Sequence, residues 1–130
     1  MGSEMCIRDR YTTTLKLNPN GALEDSKGDV RNIPQNSQSG AYTLVAADAG
    51  KHIYITTGGV TVPTGLYANG DAVTIINHSG SDQTITQASG VTIYNSADGT
   101  TGNRTLAGRG MATLIRTGNN EYYISGAGLS

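Results

Sequence analysis

The chain has 130 residues, 36% of them hydrophobic, and a formal net charge of −1, which suits one domain with a modest core. Nine basic residues against ten acidic ones leave no basic footprint for nucleic acid, and no apolar run approaches the roughly 18 residues of a membrane span. Gly numbers 18 and Pro only 3, Phe and Trp are absent, and charged residues are 15%; the balance of Ile, Val, Thr, Gly and Asn predicts an all-β protein.

Met1 to Arg10 (MGSEMCIRDR) resembles the translation of a transposase-type sequencing adapter entered at a GTG start. Such a remnant is excluded from fold reasoning. It is expected to be irregular or loosely packed, and the natural N-terminus is expected upstream of Tyr11. Setting it aside removes the single cysteine, Cys6, and leaves the net charge unchanged. The remainder then has no disulfide and no thiolate metal site.

Residues 11–40 are expected to form an N-terminal strand and a polar arm or linker. Tyr11 to Leu17 (YTTTLKL) alternates as a strand does. Pro19-Asn20-Gly21 is a turn signal. Ile33 to Gly40 (IPQNSQSG) has no period, and Pro34 forces Ile33 toward extended geometry.

Residues 41–130 are expected to form the folded domain. Tyr42 to Val45 reads as a strand and Ala46 to Gly50 as a turn. Lys51 to Thr57 places Ile53 and Ile55 on one face, with His52 and Tyr54 on the other. Gly58-Gly59 reads as a two-residue hairpin returning through Val60 and Val62. Asp71 to Asn77, Gln83 to Gln87 and Val91 to Tyr94 alternate in turn. Asn95 to Gly108 reads as a long loop. Gly110 to Thr117 is apolar on both faces, which predicts a central strand. Gly118-Asn119-Asn120 predicts a second hairpin leading into Glu121 to Ser125.

About eight short strands, spaced by roughly 8 to 12 residues, predict an antiparallel β-sandwich or a jelly-roll-like domain; a closed barrel has the same spacing signature. The expected inward side chains are Ile53, Ile55, Val60, Val62, Val73, Ile75, Ile85, Val91, Ile93, Leu114 and Ile124. No repeat of fixed length persists across three copies, so no solenoid is expected. The core is thin, so association between copies is expected to add to stability.

Catalytic groups are sparse. His52 sits mid-strand. His78 lies in the turn His78 to Asp82 with Ser79, Ser81 and Asp82, but adjacent residues on a tight turn diverge and do not assemble a triad. Asp25 to Asp29 lacks the alternating oxygen ligands of a calcium loop. Gly99 to Gly110 carries Arg104 and Arg109 without the following helix of a phosphate-cradling loop. No catalytic, metal or cofactor-binding residue is therefore expected, and no cofactor. Glycan contact is the open alternative, because a sugar stacks its apolar face on an aromatic ring. Among Tyr54, Tyr67, Tyr94, Tyr122 and Tyr123, the candidates for glycan contact are Tyr54, Tyr67 and Tyr94.

Three stretches, IPQNSQSGAYTLVAADAGKHIYITTGGVTVP, GDAVTIINHSGSDQTITQASGVTIY and TTGNRTLAGRGMATLIRTGNNEYYISGAGL, together resemble a β-rich module of virion structural proteins of tailed bacteriophages. That module sits at the C-terminal end of tail-fibre, head-fibre or decoration proteins. The resemblance covers Ile33 to Leu129, in texture and phrase order rather than in a catalytic motif. It implies a non-enzymatic, structural or attachment role in the extracellular particle, made in the host cytoplasm. It also implies a homotrimer, other virion proteins as partners and, at a receptor-binding tip, a host surface glycan.

Overall fold

The computed structural model describes residues 32–130 continuously, together with Pro19 and four short strands nearer the N-terminus. The chain divides into two compact units, Met1–Pro34 and Gln35–Ser130. In the first, β1 (Met5–Arg8), β2 (Thr14–Leu17), β3 (Leu23–Asp25) and β4 (Gly28–Asp29) form a sheet in that order. Its pairings are all antiparallel. Met5–Arg8, expected to be irregular, is thus a strand with Met5 opposite Leu17 and Arg8 opposite Thr14. Tyr11 to Thr13, expected to extend the second strand, lie outside the described residues.

The second unit is all-β, with one short 3-10 turn at Ala46–Asp48. Its strands are β5 (Gln35–Gln38), β6 (Tyr42–Thr43), β7 (His52–Ile55), β8 (Val60–Val62), β9 (Ala72–Asn77), β10 (Gln83–Gln87), β11 (Thr92–Asn95), β12 (Arg104–Gly118) and β13 (Glu121–Leu129). They form one nine-stranded mixed sheet that nearly closes into a barrel. Two expectations change at once. Gln35–Gln38 is a strand of this sheet rather than part of a linker. The supposed loop to Gly108 ends at Arg104, where β12 begins.

The pairing departs from the antiparallel expectation for a specific reason. Gly58-Gly59 is a corner, not a hairpin: β7 pairs with β5 and β9, while β8 pairs with β6 and β10, all in parallel. Each strand therefore meets the strand two places away in sequence, and successive strands alternate between two parallel ladders, β5-β7-β9 and β6-β8-β10. This is coil-on-coil stacking. It left no fixed period because the steps differ: 17 residues from Asn36 to Ile53, then 22 to Ile75. In the other ladder Tyr42 to Val60 is 18 residues and Val60 to Ile85 is 25.

β12 joins the two ladders. Its first residues pair antiparallel with β10 and its Met111–Ile115 stretch pairs antiparallel with β9. Between them the strand bends at Ala107–Gly110, opposite Gly128 alone on β13. Arg109 takes the left-handed conformation there, φ 67°, at a cost of about 1 kcal/mol for a residue with a Cβ. A Cβ on Gly108 would lie 2.9 Å from the Gly80 carbonyl carbon. The bend of β12 and the turn at His78–Asp82 therefore pack backbone against backbone. The second predicted hairpin is present, with Gly118 opposite Glu121 and Asn120 at φ 54°.

Every expected inward side chain is buried, from Ile53 to Ile124. Parallel register stacks Ile53 on Ile75 and Val60 on Ile85, and Ala112 extends the first column through the antiparallel pairing of β12 with β9. Leu44, Ala49, Leu66, Tyr67, Leu106 and Tyr122 complete the core. Each such side chain removed from water contributes about 1.5–3 kcal/mol.

The β5–β6 end of the core is closed by polar groups instead. Asp48 is buried; its carboxylate accepts from Asn36 Nδ2 at 2.9 Å, Tyr42 Oη at 2.7 Å and the Val45 amide at 2.9 Å. Gln38 Nε2 donates in turn to Asn36 Oδ1 at 2.8 Å. Replacing Asp48 by Ala removes the acceptor of the half-buried Asn36 and Tyr42 side chains and of the Val45 amide, and a donor left unmet costs about 1–3 kcal/mol. Asp48→Ala is expected to lower unfolding stability by about 2–4 kcal/mol in urea titrations. A loss below about 1 kcal/mol would show that solvent meets those donors instead.

Candidate functional site

The candidate site is the outward face of the β7-β9-β12-β13-β11 portion of the sheet, with the ridge along its rim. Period-two alternation puts every second residue of these strands outside. Register then sets three outward rows. Tyr54, Ile76, Met111 and Ala127 form one. His52, Thr74, Thr113 and Ser125 form the next. Ala72, Ile115, Tyr123 and Tyr94 form the third.

None of these residues is an Asp, Glu, Lys or Arg. Met111 is 53% exposed, Tyr123 40% and Ile115 38%, so the two outer rows expose apolar side chains on either side of the polar row of His52, Thr74, Thr113 and Ser125. Thr74 Oγ1 and Thr113 Oγ1 meet at 3.1 Å across the strands. β12 is central in its pairing, as expected, but only one of its faces is buried. The apolar residues of the other face look outward.

Of the residues singled out for glycan contact, Tyr54 and Tyr94 are half-buried on this face. Tyr94 stacks on Tyr123 with ring centroids 5.0 Å apart, and Tyr54 stacks on His78 at 4.7 Å. Tyr67, expected to face outward, does not: it is 5% exposed, in the core, edge-on to the fully buried Tyr122 at 6.4 Å. A ring in that position offers no face to a sugar. The corner after Pro63 folds inward at Leu66 and Tyr67 because the thin core needs a large aromatic there. Sequence alternation says nothing about residues in corners.

The rim ridge is built by Asn77. Its buried side chain donates to the carbonyls of Ser81 at 2.8 Å, Leu106 at 2.9 Å and Ala107 at 3.1 Å. Its Oδ1 accepts from the Ser79 amide at 3.0 Å and the Ser79 hydroxyl at 2.6 Å. One amide side chain thus holds the His78–Asp82 turn against the bend of β12. Ser79 is occupied in this turn and in a bond from Gln83 Nε2 at 3.1 Å, so it is not set up as a nucleophile. On the ridge, Arg109 Nη1 lies 2.8 Å from His78 Nδ1 and 3.2 Å from Nε2. In the sequence Arg109 belongs to the glycine-rich stretch Gly99 to Gly110, which carries no strand signal of its own. A Gly-Arg-Gly triplet inside an otherwise strand-like stretch was the available signal for the bend.

Arg104 has a structural task. It is buried, and its guanidinium donates to Gly102 O, Asn103 O, Thr101 O and Thr100 Oγ1. Asp98 closes the same loop: bonds from the Thr100 amide and then its hydroxyl hold the Asp98 carboxyl below the usual range. Among the described residues no three His, Cys, Asp or Glu side chains gather as a metal site. Among them also, no helix is long and apolar enough to cross a membrane. No protein-family model matches the sequence, and no curated protein or solved structure shows significant similarity to it.

Three tyrosines tie the fold to pH. Burial, then the Asp48 carboxylate, pushes the Tyr67 phenol far upward. Burial raises Tyr122, opposed by the Arg116 charge and the Tyr67 backbone amide. Burial and the bond to Asp48 raise Tyr42. The Tyr67 and Tyr122 hydroxyls have no partner within hydrogen-bond geometry. Phenols held neutral in the fold but ionising near pH 10 when unfolded contribute stability that is complete below about pH 10 and lost above it. Urea titrations are expected to give lower midpoints as pH rises past about 10, and Tyr67→Phe is expected to blunt that loss. At neutral pH Tyr67→Phe should be neutral or stabilising by up to about 1 kcal/mol, because it removes a buried unbonded hydroxyl. A clear destabilisation at pH 7 would show that the hydroxyl is satisfied.

Proposed function

We propose that this chain is a structural module of a tailed-bacteriophage particle, a fibre, spike or decoration subunit. It acts by associating with copies of itself, as a homotrimer, and with other particle proteins. It carries out no catalysis and resides in the extracellular particle. The observation that supports this reading is the open, uncharged face centred on Met111, Ile115 and Tyr123. Each row crosses four strands at about 4.8 Å spacing, and the three rows together span about 14 Å along the strands between outer Cα atoms. Its two apolar rows, one through Met111 and one through Ile115 and Tyr123, are exposed apolar surface of the kind that interaction sites use. Lack of charge suits burial against another copy, because no charged group has to be desolvated there. In this reading the two ladders serve as the layers of a sandwich-like display module. The phrase order of residues 33–129 supports the same conclusion.

Sedimentation equilibrium on the full chain is expected to give a trimer. The double variant Met111→Lys, Ile115→Lys is expected to weaken association about 100-fold or more with an unchanged circular dichroism spectrum, because two ammonium groups resist desolvation at an apolar contact. A wild-type chain that stays monomeric at every concentration tested would overturn the assembly reading.

A second reading, a carbohydrate-binding module or receptor-binding tip for host surface glycans, is favoured by the outward, half-buried rings of Tyr54 and Tyr94. Glycan arrays probed with the wild-type chain, Tyr54→Ala and Tyr94→Ala are expected to show binding that falls about tenfold in each variant. An array without any signal would sink it.

A further inference from the structure

We propose that Tyr94 and Tyr123 are a covalent modification site, a pair that a one-electron oxidant of the peroxidase class joins into an intramolecular dityrosine. The inference concerns a single protomer and rests on neither the assembly reading nor the glycan reading.

Among the described residues two pairs of tyrosine rings are in contact, and only one is prepared for coupling. Tyr67 and Tyr122 meet edge-on at 6.4 Å inside the core, and neither hydroxyl has a hydrogen-bond partner. Oxidation of a phenol releases its proton, and a buried hydroxyl without a partner has no group to receive it. Tyr94 and Tyr123 differ on each count. Their rings stack at 5.0 Å with planes 20° apart, and they lie on the outward face, Tyr94 half-buried and Tyr123 40% exposed. They are direct partners in the parallel pairing of β11 with β13. Backbone bonds clamp that register on both sides: the Thr92 amide donates to Asn120 O at 2.9 Å, and the Ser96 amide to Ile124 O at 3.0 Å. Tyr42 is bonded to Asp48 and Tyr54 is stacked on His78, not on a second tyrosine.

The coupling balances with hydrogen peroxide as the terminal oxidant. Each phenol gives up one electron and its hydroxyl proton, which leaves two phenoxyl radicals side by side. A bond forms between one Cε of each ring. The hydrogen on each of those carbons leaves as a proton, each oxygen takes up a proton, and both rings regain aromaticity. The protein loses two hydrogens, and one peroxide takes the two electrons and two protons to become two waters. Stacked rings have to tilt for their edges to meet, and the outward position of Tyr123 leaves room for that. The link falls where the sheet is most weakly tied, because β13 is the only strand of the sheet that pairs with β11. It also closes the chain between residues 94 and 123 into a loop, which restricts the unfolded state.

The test treats the full chain, at micromolar concentration, with a haem peroxidase and hydrogen peroxide. Dityrosine fluorescence is expected to rise. The product is expected to run as a single chain on a denaturing gel, two hydrogens lighter, and its digest to contain Tyr94 and Tyr123 in one cross-linked peptide pair. Rings held in contact do not depend on encounter, so the initial rate per chain is expected to stay constant over a roughly tenfold dilution. Tyr94→Phe and Tyr123→Phe keep a stacked ring and remove one phenol; each is expected to lower the signal at least about tenfold. The linked chain is expected to unfold at a higher urea concentration than the unlinked one. Links found only between chains, or joining any other two tyrosines, would overturn the assignment. So would a signal that survives both variants, or no signal under conditions that couple free tyrosine.

Discussion

The second unit depends on how strands separated by corners satisfy their backbones. A hairpin lets two consecutive strands bond to each other. A corner such as Thr56–Gly59 turns the chain away, so β7 has to find its partners a coil earlier and a coil later. Parallel ladders follow, and with them the stacking of like positions into columns. A parallel stack is not self-terminating, because its last strand always offers free donors and acceptors. At one end β12 reverses direction and pairs with both ladders, which the bend at Ala107–Gly110 makes possible. At the other end the apolar columns stop against Asn36, Gln38, Tyr42 and Asp48. The Asp48 carboxylate is the centre of that closure, and it draws its donors from two segments of chain, β5 and the stretch from Tyr42 to Val45.

Burial was legible in the sequence and pairing was not. Alternation fixes which side chains of a strand face inward, whichever neighbours the strand acquires, so the inward set from Ile53 to Ile124 follows from residues alone. Alternation is blind to whether a neighbour runs parallel or antiparallel. Gly58-Gly59 has the composition of a hairpin, but Gly59 faces the Thr84 carbonyl so closely that no Cβ fits between them. The glycines there serve close packing between coils, which no local pattern encodes. Gln35–Gln38 was missed for a related reason. A terminal coil that caps a core with Asn and Gln lacks the apolar signal by which strands are recognised.

The candidate site was half legible. Tyr54 and Tyr94 alternate with buried isoleucines and had to face outward. Tyr67 lies in a corner, where no period applies, and the core took it. The apolar character of both faces of β12 was plain, yet it was compatible with burial on both. Only the register shows that Met111 and Ile115 continue rows that include Tyr54, Tyr123 and Tyr94. The Arg109–His78 contact joins residues 31 positions apart and depends on the bend, so it arises at the tertiary level alone.

The unequal coils carry an implication for how such a chain can change. The steps of 17 and 22 residues in one ladder, and of 18 and 25 in the other, leave the columns aligned. An inserted residue in a corner lengthens a loop and leaves both flanking strands in place. The same insertion within a strand would turn each later side chain of that strand inside out. Insertions and deletions are therefore sorted by position: the corners can diversify in length, and with them whatever they display, while the strands between them are held to a fixed count.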